Sequence, residues 1–116
     1  MTHPSALQVK DWSKLPARTA LTDQALQEAL AQHAGWHVTG NGAQQAIEKT
    51  FRFANYFQTM AFVNALAWIA HQQDHHPSLQ VEYGQCTVRW NTHDAGGLTA
   101  TDFDCAQRTD TLVSPS

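Results

Sequence analysis

Cysteine is nearly absent: among 116 residues only Cys86 and Cys105 carry thiols. Two thiols with no C-x-x-C spacing are too few for a disulfide scaffold and read as reduced. Strong charge of either sign is missing too, because 7 basic and 10 acidic side chains leave a formal net charge of −3. So mild an acidity argues against a phosphate-backbone binder, and no nucleic-acid partner is expected. No apolar run approaches the ~18–20 residues of a membrane span. No basic segment precedes an apolar run near Met1, as a secretory signal would require. Together these absences predict a soluble, cytoplasmic domain with no membrane partner. The G-x-S-x-G and H-E-x-x-H motifs are missing as well, which removes the best-known serine-nucleophile and zinc signatures.

Apolar residues make up 42% of the chain, enough for one core. Residues 1–20 read as an N-terminal extension, since they hold Pro4 and Pro16 and show no sustained periodicity. Trp12 and Leu15 could dock on the domain, but fraying is expected there. Residues 21–113 read as a single domain. Thr22 can cap a helix to about Ala34, with Leu26, Ala29 and Leu30 on one face and Gly35 at its C′ position. Trp36 and Val38, then Ile47, Lys49, Phe51 and Phe53, alternate as two strands around a Gly40-Asn41-Gly42 turn.

Asn55 can cap the longest helix, from about Tyr56 to Gln73. Phe57, Met60, Ala61, Asn64 and Trp68 form one stripe of it; Phe62, Val63, Leu66, Ile69 and Ala70 extend the apolar surface around the cylinder. Such a helix is buried on more than one side, which predicts a second subunit and hence a homodimer or homotetramer. Leu79, Val81 and Tyr83, then Cys86, Val88 and Trp90, alternate as two further strands around Gly84-Gln85, where glycine is expected to supply positive φ. Thr99-Ala100-Thr101-Asp102 fits a capping box for a last helix that fades by about Leu112. On this pattern Asp102 is the capping carboxylate rather than a catalytic acid. The expected fold is α+β in the order α-β-β-α-β-β-α, a four-stranded antiparallel-type sheet with three helices on one face.

Histidine is abundant: seven residues, as many as Lys and Arg combined. His71, His75 and His76 fall close together, and His93 follows downstream. Asp74-His75-His76-Pro77 ends the long helix, where Pro77 disfavours helical backbone at His76. The second hairpin should return His93 to the same level, so that three imidazoles meet at the rim of the sheet. A metal is not expected there, because adjacent histidines present two imidazoles to one ion poorly and Cys86 falls on the core face. General acid–base chemistry on a small substrate remains.

These residues resemble those of the pterin-4α-carbinolamine dehydratase family, also called 4a-hydroxytetrahydrobiopterin dehydratases. The likeness rests on Asp74-His75-His76-Pro77, Tyr83, and Thr92-His93-Asp94-Ala95-Gly96-Gly97-Leu98-Thr99 followed by Asp102. Gly35-Trp36 and Lys49-Thr50-Phe51-Arg52-Phe53 fit as well, and the whole spans about Leu21 to Leu112. It implies a cofactor-free, metal-free hydro-lyase that converts 4a-hydroxytetrahydropterin to quinonoid dihydropterin, regenerating pterin for an aromatic amino acid hydroxylase. It implies His75, His76 and His93 as catalytic residues, and Asp74, His75, His76, Asn91, Thr92, His93 and Asp94 as substrate-binding ones. His75 and His76 would form the proton-transfer pair, with His93 orienting the pterin. His71 stands where the family often has Glu, and a fourth imidazole would support the site. The rival reading is a non-catalytic dimerisation module of the transcriptional-cofactor type, which animal members of the family also provide.

Overall fold

The computed structural model describes residues 18–113, so the docking of Trp12 and Leu15 and the end of the tail lie outside the described residues. Helix α1 (Asp23–Gln32) starts where expected, because the Thr22 hydroxyl accepts the Ala25 N–H at 3.1 Å. Its C-cap is His33, so Gly35 (φ 89°) stands two residues past the cap, not one. Strands β1 (His37–Thr39) and β2 (Ala46–Arg52) pair antiparallel. Their connection is longer than a tight turn. It leaves the strand at Gly40, runs through a 3₁₀ turn at Gly42–Gln44, and returns at Ala46. At Gly40 (φ 74°) a Cβ would collide with the Gln44 carbonyl, so the loop closes only over glycine.

Helix α2 (Tyr56–Gln73) has the expected bounds, with the Asn55 side chain accepting the Gln58 N–H at 2.9 Å. It buries Thr59, Phe62, Leu66, Ile69 and Ala70, with spacings of three, four, three and one that trace a single helical face. The stripe holding Phe57 and Trp68 faces away from the sheet, and these two are 81% and 61% exposed.

Strands β3 (Ser78–Glu82) and β4 (Gln85–Trp90) form a hairpin whose two loop residues are Tyr83 and Gly84. Gly84 does not take the left-handed conformation expected of it. The turn is instead pinned against the end of β2: Phe53 N–H donates to the Gly84 carbonyl at 2.8 Å, and a Cβ on Gly84 would lie 3.0 Å from the Phe53 carbonyl. Close backbone approach, not positive φ, is what favours glycine there. Helix α3 (Ala100–Thr111) completes the chain.

The sheet is antiparallel throughout, in the order β1-β2-β4-β3. The α+β class and the helix–strand order are those read from the sequence. Ile47, Phe51, Cys86, Val88 and Trp90 project from the central strands into the core, where Phe62, Leu66, Leu98 and Phe103 meet them. Each fully buried large side chain, such as Ile47 or Leu66, contributes about 1.5–3 kcal/mol. Thr50 and Thr87, directly paired on the opposite face, share a hydroxyl–hydroxyl bond of 2.8 Å, so that face is polar. The segment before α1 belongs to this body as well. Ala20 bridges to Thr99, and Leu21 N–H donates to the Leu98 carbonyl at 2.8 Å. Residues 20 and 21, on either side of the expected boundary, are thus both tied to the segment before α3.

Candidate active site

Helix α2 stops because Asp74 adopts a left-handed conformation (φ 48°, ψ 47°), alone among the described non-glycine residues. Aspartate tolerates this geometry better than most residues. The turn lets His75 N–H reach back to the Ala70 carbonyl at 3.1 Å and swings the His75 ring inward, to 7% exposure. His76 stays at the surface. The β3–β4 hairpin then reverses the chain with Ser78 opposite Arg89, which returns Asn91–Asp94 beside Asp74–Pro77. The result is a cavity of about 640 Å³ lined by Arg18, Asp74, His75, His76, Asn91, Thr92, His93, Asp94 and Ala95. That volume suits a small bicyclic ligand. All seven positions expected to bind substrate are on its wall.

Their geometries differ sharply. His75 is held on every side. Its Nε2 lies 2.6 Å from Asp102 Oδ1, its Nδ1 lies 2.8 Å from Arg18 Nη1, and its ring stacks on the Trp90 indole. Asp102 is wholly buried and accepts on its other oxygen from the Thr92 hydroxyl at 2.7 Å and the Thr99 N–H at 2.9 Å. The capping-box reading of Asp102 is thus half of its work, and holding His75 is the other half. Thr92 spends its hydroxyl on that carboxylate. The Asn91 amide donates to the Ala43 and Gln45 carbonyls, tying the end of β4 to the β1–β2 connection.

His76 and His93 are exposed to the cavity. Among the described residues no hydrogen bond engages the His76 ring, and the nearest charge to His93 Nδ1 is Asp94 at 3.7 Å. Both nitrogens of His75 are thus engaged within the protein, while the ring still lines the cavity. His71 does not line the cavity; its ring packs beside Trp68 on the exposed face of α2, 5.8 Å between centroids. Arg18 was invisible to sequence reasoning, since a lone arginine in an aperiodic, proline-containing segment carries no signal.

The thiols take no part. Burial pushes Cys86 up and Cys105 up to about 12, the latter with help from Asp104 and Asp102. Among the described residues no group of three or more His, Cys, Asp or Glu is placed to hold a metal ion. No described helix is long and apolar enough to cross a membrane.

The family described as pterin 4 alpha carbinolamine dehydratase matches residues 19–112 of the chain. A protein of Paracidovorax citrulli (strain AAC00-1) that bears this family's name provisionally is 53% identical over 116 residues, covering 100% of this chain and 99% of its own length. One of Stenotrophomonas maltophilia (strain R551-3), named in the same way, is 54% identical over 93 residues, 80% of this chain and 78% of its own. Among solved structures, a transcriptional coactivator/pterin dehydratase from Brucella melitensis superposes with a TM-score of 0.76 at 27% identity, covering 83% of this chain and 100% of that one. A pterin dehydratase-like protein identified as a RuBisCO assembly factor in the alpha-carboxysome superposes with a TM-score of 0.60 at 26% identity, over 72% and 95% of the two chains.

Proposed function

The chain belongs to the pterin 4 alpha carbinolamine dehydratase family, and we propose that it is a hydro-lyase removing water from a 4a-hydroxytetrahydropterin. The observation that carries this reading is the cavity itself, in which two exposed imidazoles, His76 and His93, face a space walled by the seven positions named above. The carbinolamine holds its hydroxyl on a carbon bonded to a ring nitrogen. One imidazolium delivers a proton to the hydroxyl oxygen. The carbon–oxygen bond breaks as the nitrogen lone pair forms a C=N bond, and water leaves. A neutral imidazole then takes a ring N–H proton, giving the quinonoid dihydropterin. Imidazole titrates near neutrality and can serve in either sense.

We assign the two proton transfers to His75 and His76, with Asp102 orienting the His75 ring, and to His93 the task of orienting the pterin. Asp74 and Asn91–Asp94 line the same wall, where a flat pterin needs hydrogen bonds to its edge. The product suits recycling of a tetrahydropterin after aromatic amino acid hydroxylation. Homo-oligomer formation through the outer stripe of α2 is part of the proposal. The test is dehydration of chemically prepared 4a-hydroxytetrahydropterin, with and without chelator. Acceleration that survives EDTA is expected; no acceleration, or loss on chelation with recovery on zinc, would overturn the reading. A purely dimerising role would leave the cavity histidines without a task.

A further inference from the structure

The side chain of His93 is 66% exposed, and the charge nearest its Nδ1, Asp94 at 3.7 Å, is fully exposed itself. The 3₁₀ turn that carries the ring, His93–Ala95, is closed by its own backbone. Ala95 N–H donates to the Thr92 carbonyl and Gly96 N–H to the His93 carbonyl, both at 3.0 Å. The place of the turn over the cavity must therefore come from the two ends of the segment. At the near end the β2–β4 ladder stops at the Ile47–Trp90 pair. One residue further, the Asn91 amide donates to the Ala43 and Gln45 carbonyls. At the far end Leu98 N–H donates to Gln45 Oε1 at 3.2 Å. Gln45 thus takes part at both ends, once through its backbone and once through its side chain.

We propose that Gln45 is a positioning residue of the active site, which holds both ends of the Thr92–Gly97 segment and so sets where His93 meets the substrate. Gln45 lies outside the cavity wall, so it acts through that segment and not on the substrate. Its own place is firm. Its N–H donates to the Gly42 carbonyl at 3.0 Å, and Ala46, next in the chain, is buried and paired with Thr39. The anchor therefore belongs to the start of β2 and the core sheet. The inner side of the same segment is tied separately, Thr92 to Asp102 and the Leu98 carbonyl to the Leu21 N–H. Leu98 N–H requires an acceptor, so the amide oxygen is the part of Gln45 that matters there. A ring carried on a short segment with fixed ends keeps one direction of approach while its nitrogens stay turned to the ligand. Misplacing an orienting group by about 1 Å can cost about 10²-fold in rate, and loosening one of two ends should cost less. The kinetic consequence rests on the dehydratase reading; the anchoring does not.

The experiment compares Gln45→Met, which keeps the length of the side chain and removes the acceptor, with Gln45→Glu, which keeps an acceptor. Amide hydrogen exchange followed by NMR on the full chain should show the Leu98 N–H protected in the unaltered protein and in Gln45→Glu. In Gln45→Met it should exchange about tenfold faster. With chemically prepared 4a-hydroxytetrahydropterin, Gln45→Met should lower kcat/KM about fivefold to tenfold, and Gln45→Glu should recover it to within about twofold. Added to His93→Ala, Gln45→Met should cost less than about twofold more, because nothing is left for it to position. Losses that multiply in full with that of His93→Ala, a glutamate variant as impaired as the methionine one, or unaltered kcat/KM in Gln45→Met would each overturn the proposal. Should the methionine variant not fold, the other two proteins still decide. A Leu98 amide that exchanges freely in the unaltered protein, or a glutamate variant about tenfold slower, would overturn the proposal. An inactive unaltered protein would instead refute the dehydratase reading, and the exchange rates would then decide the anchoring alone.

Discussion

The imidazole of His75 lies flat on the indole of Trp90, with centroids 5.6 Å apart and planes 15° apart. Trp90 is itself immobilised, wholly buried and donating through Nε1 to the Thr109 hydroxyl at 3.2 Å. The plane of the His75 ring is thereby set by the core, and its rotation within that plane by Asp102 and Arg18. A ring gripped in this way keeps one orientation at the inner wall of the cavity. The rings of His76 and His93 line the same cavity and are exposed.

His76→Ala should lower the dehydration rate by roughly 10²-fold or more, the range for loss of a general acid–base group. His93→Ala should fall in the same direction. Neither ring supports the core, so thermal melting should hardly change. Steady-state kinetics beside a melting curve checks both; near-unaltered turnover in both variants would remove these residues from the mechanism.

Asp102→Ala should cost about 2–4 kcal/mol of stability, because it strands the His75 N–H, the Thr92 hydroxyl and the Thr99 N–H together. Sequence reasoning predicts the loss of a cap alone, about 0.5–2 kcal/mol. Urea unfolding separates the two. The variant should also lose turnover, since His75 would lose the carboxylate that holds its Nε2.

The outer stripe of α2 should drive self-association. Phe57 and Trp68 are 81% and 61% exposed, and each large apolar side chain left in water forgoes about 1.5–3 kcal/mol. Light scattering at micromolar concentration should give a mass above the 12.9 kDa of one chain. Phe57→Glu with Trp68→Glu should shift it to the single-chain value. A 12.9 kDa mass for the unaltered protein would contradict the prediction.

Cys86 and Cys105 should resist alkylation in the folded protein at pH 8 and react on denaturation, because burial keeps both thiols protonated. The sign for stability follows. From its usual value near 9.0 up to about 12, Cys105 binds its proton only in the folded state, so stability should fall as pH rises through that window. Mass spectrometry after iodoacetamide treatment, and melting curves from pH 8 upwards, test the two statements.

Helix α2 and its cap were legible because Asn55 and an unbroken apolar periodicity mark its start, and Asp74-His75-His76-Pro77 marks its end. The cavity was legible because a hairpin reversal is a short-range rule, and it returns Asn91–Asp94 to Asp74–His76 whatever the details of the turn. Three features were not. Gly84 owes its place to the Phe53 carbonyl, a contact from a distant part of the chain. Which of the His75 and His76 rings is buried depends on the αL turn at Asp74, and adjacency in sequence does not reveal that. Arg18 reaches the site only because residues 20 and 21 are tied to Leu98 and Thr99.

The bonds from Asn91 to Ala43 and Gln45 have a consequence for how the chain can change in length. Leu98 N–H adds a further tie, to the Gln45 side chain at 3.2 Å. Surface connections between strands ordinarily absorb insertions at little cost. The segment from Gly40 to Gln45 should not, because a residue added there would displace the carbonyls that hold Asn91 at the wall of the cavity. Tolerance to insertion would then be concentrated elsewhere, and a library of single-residue insertions should find this connector as intolerant as a core strand.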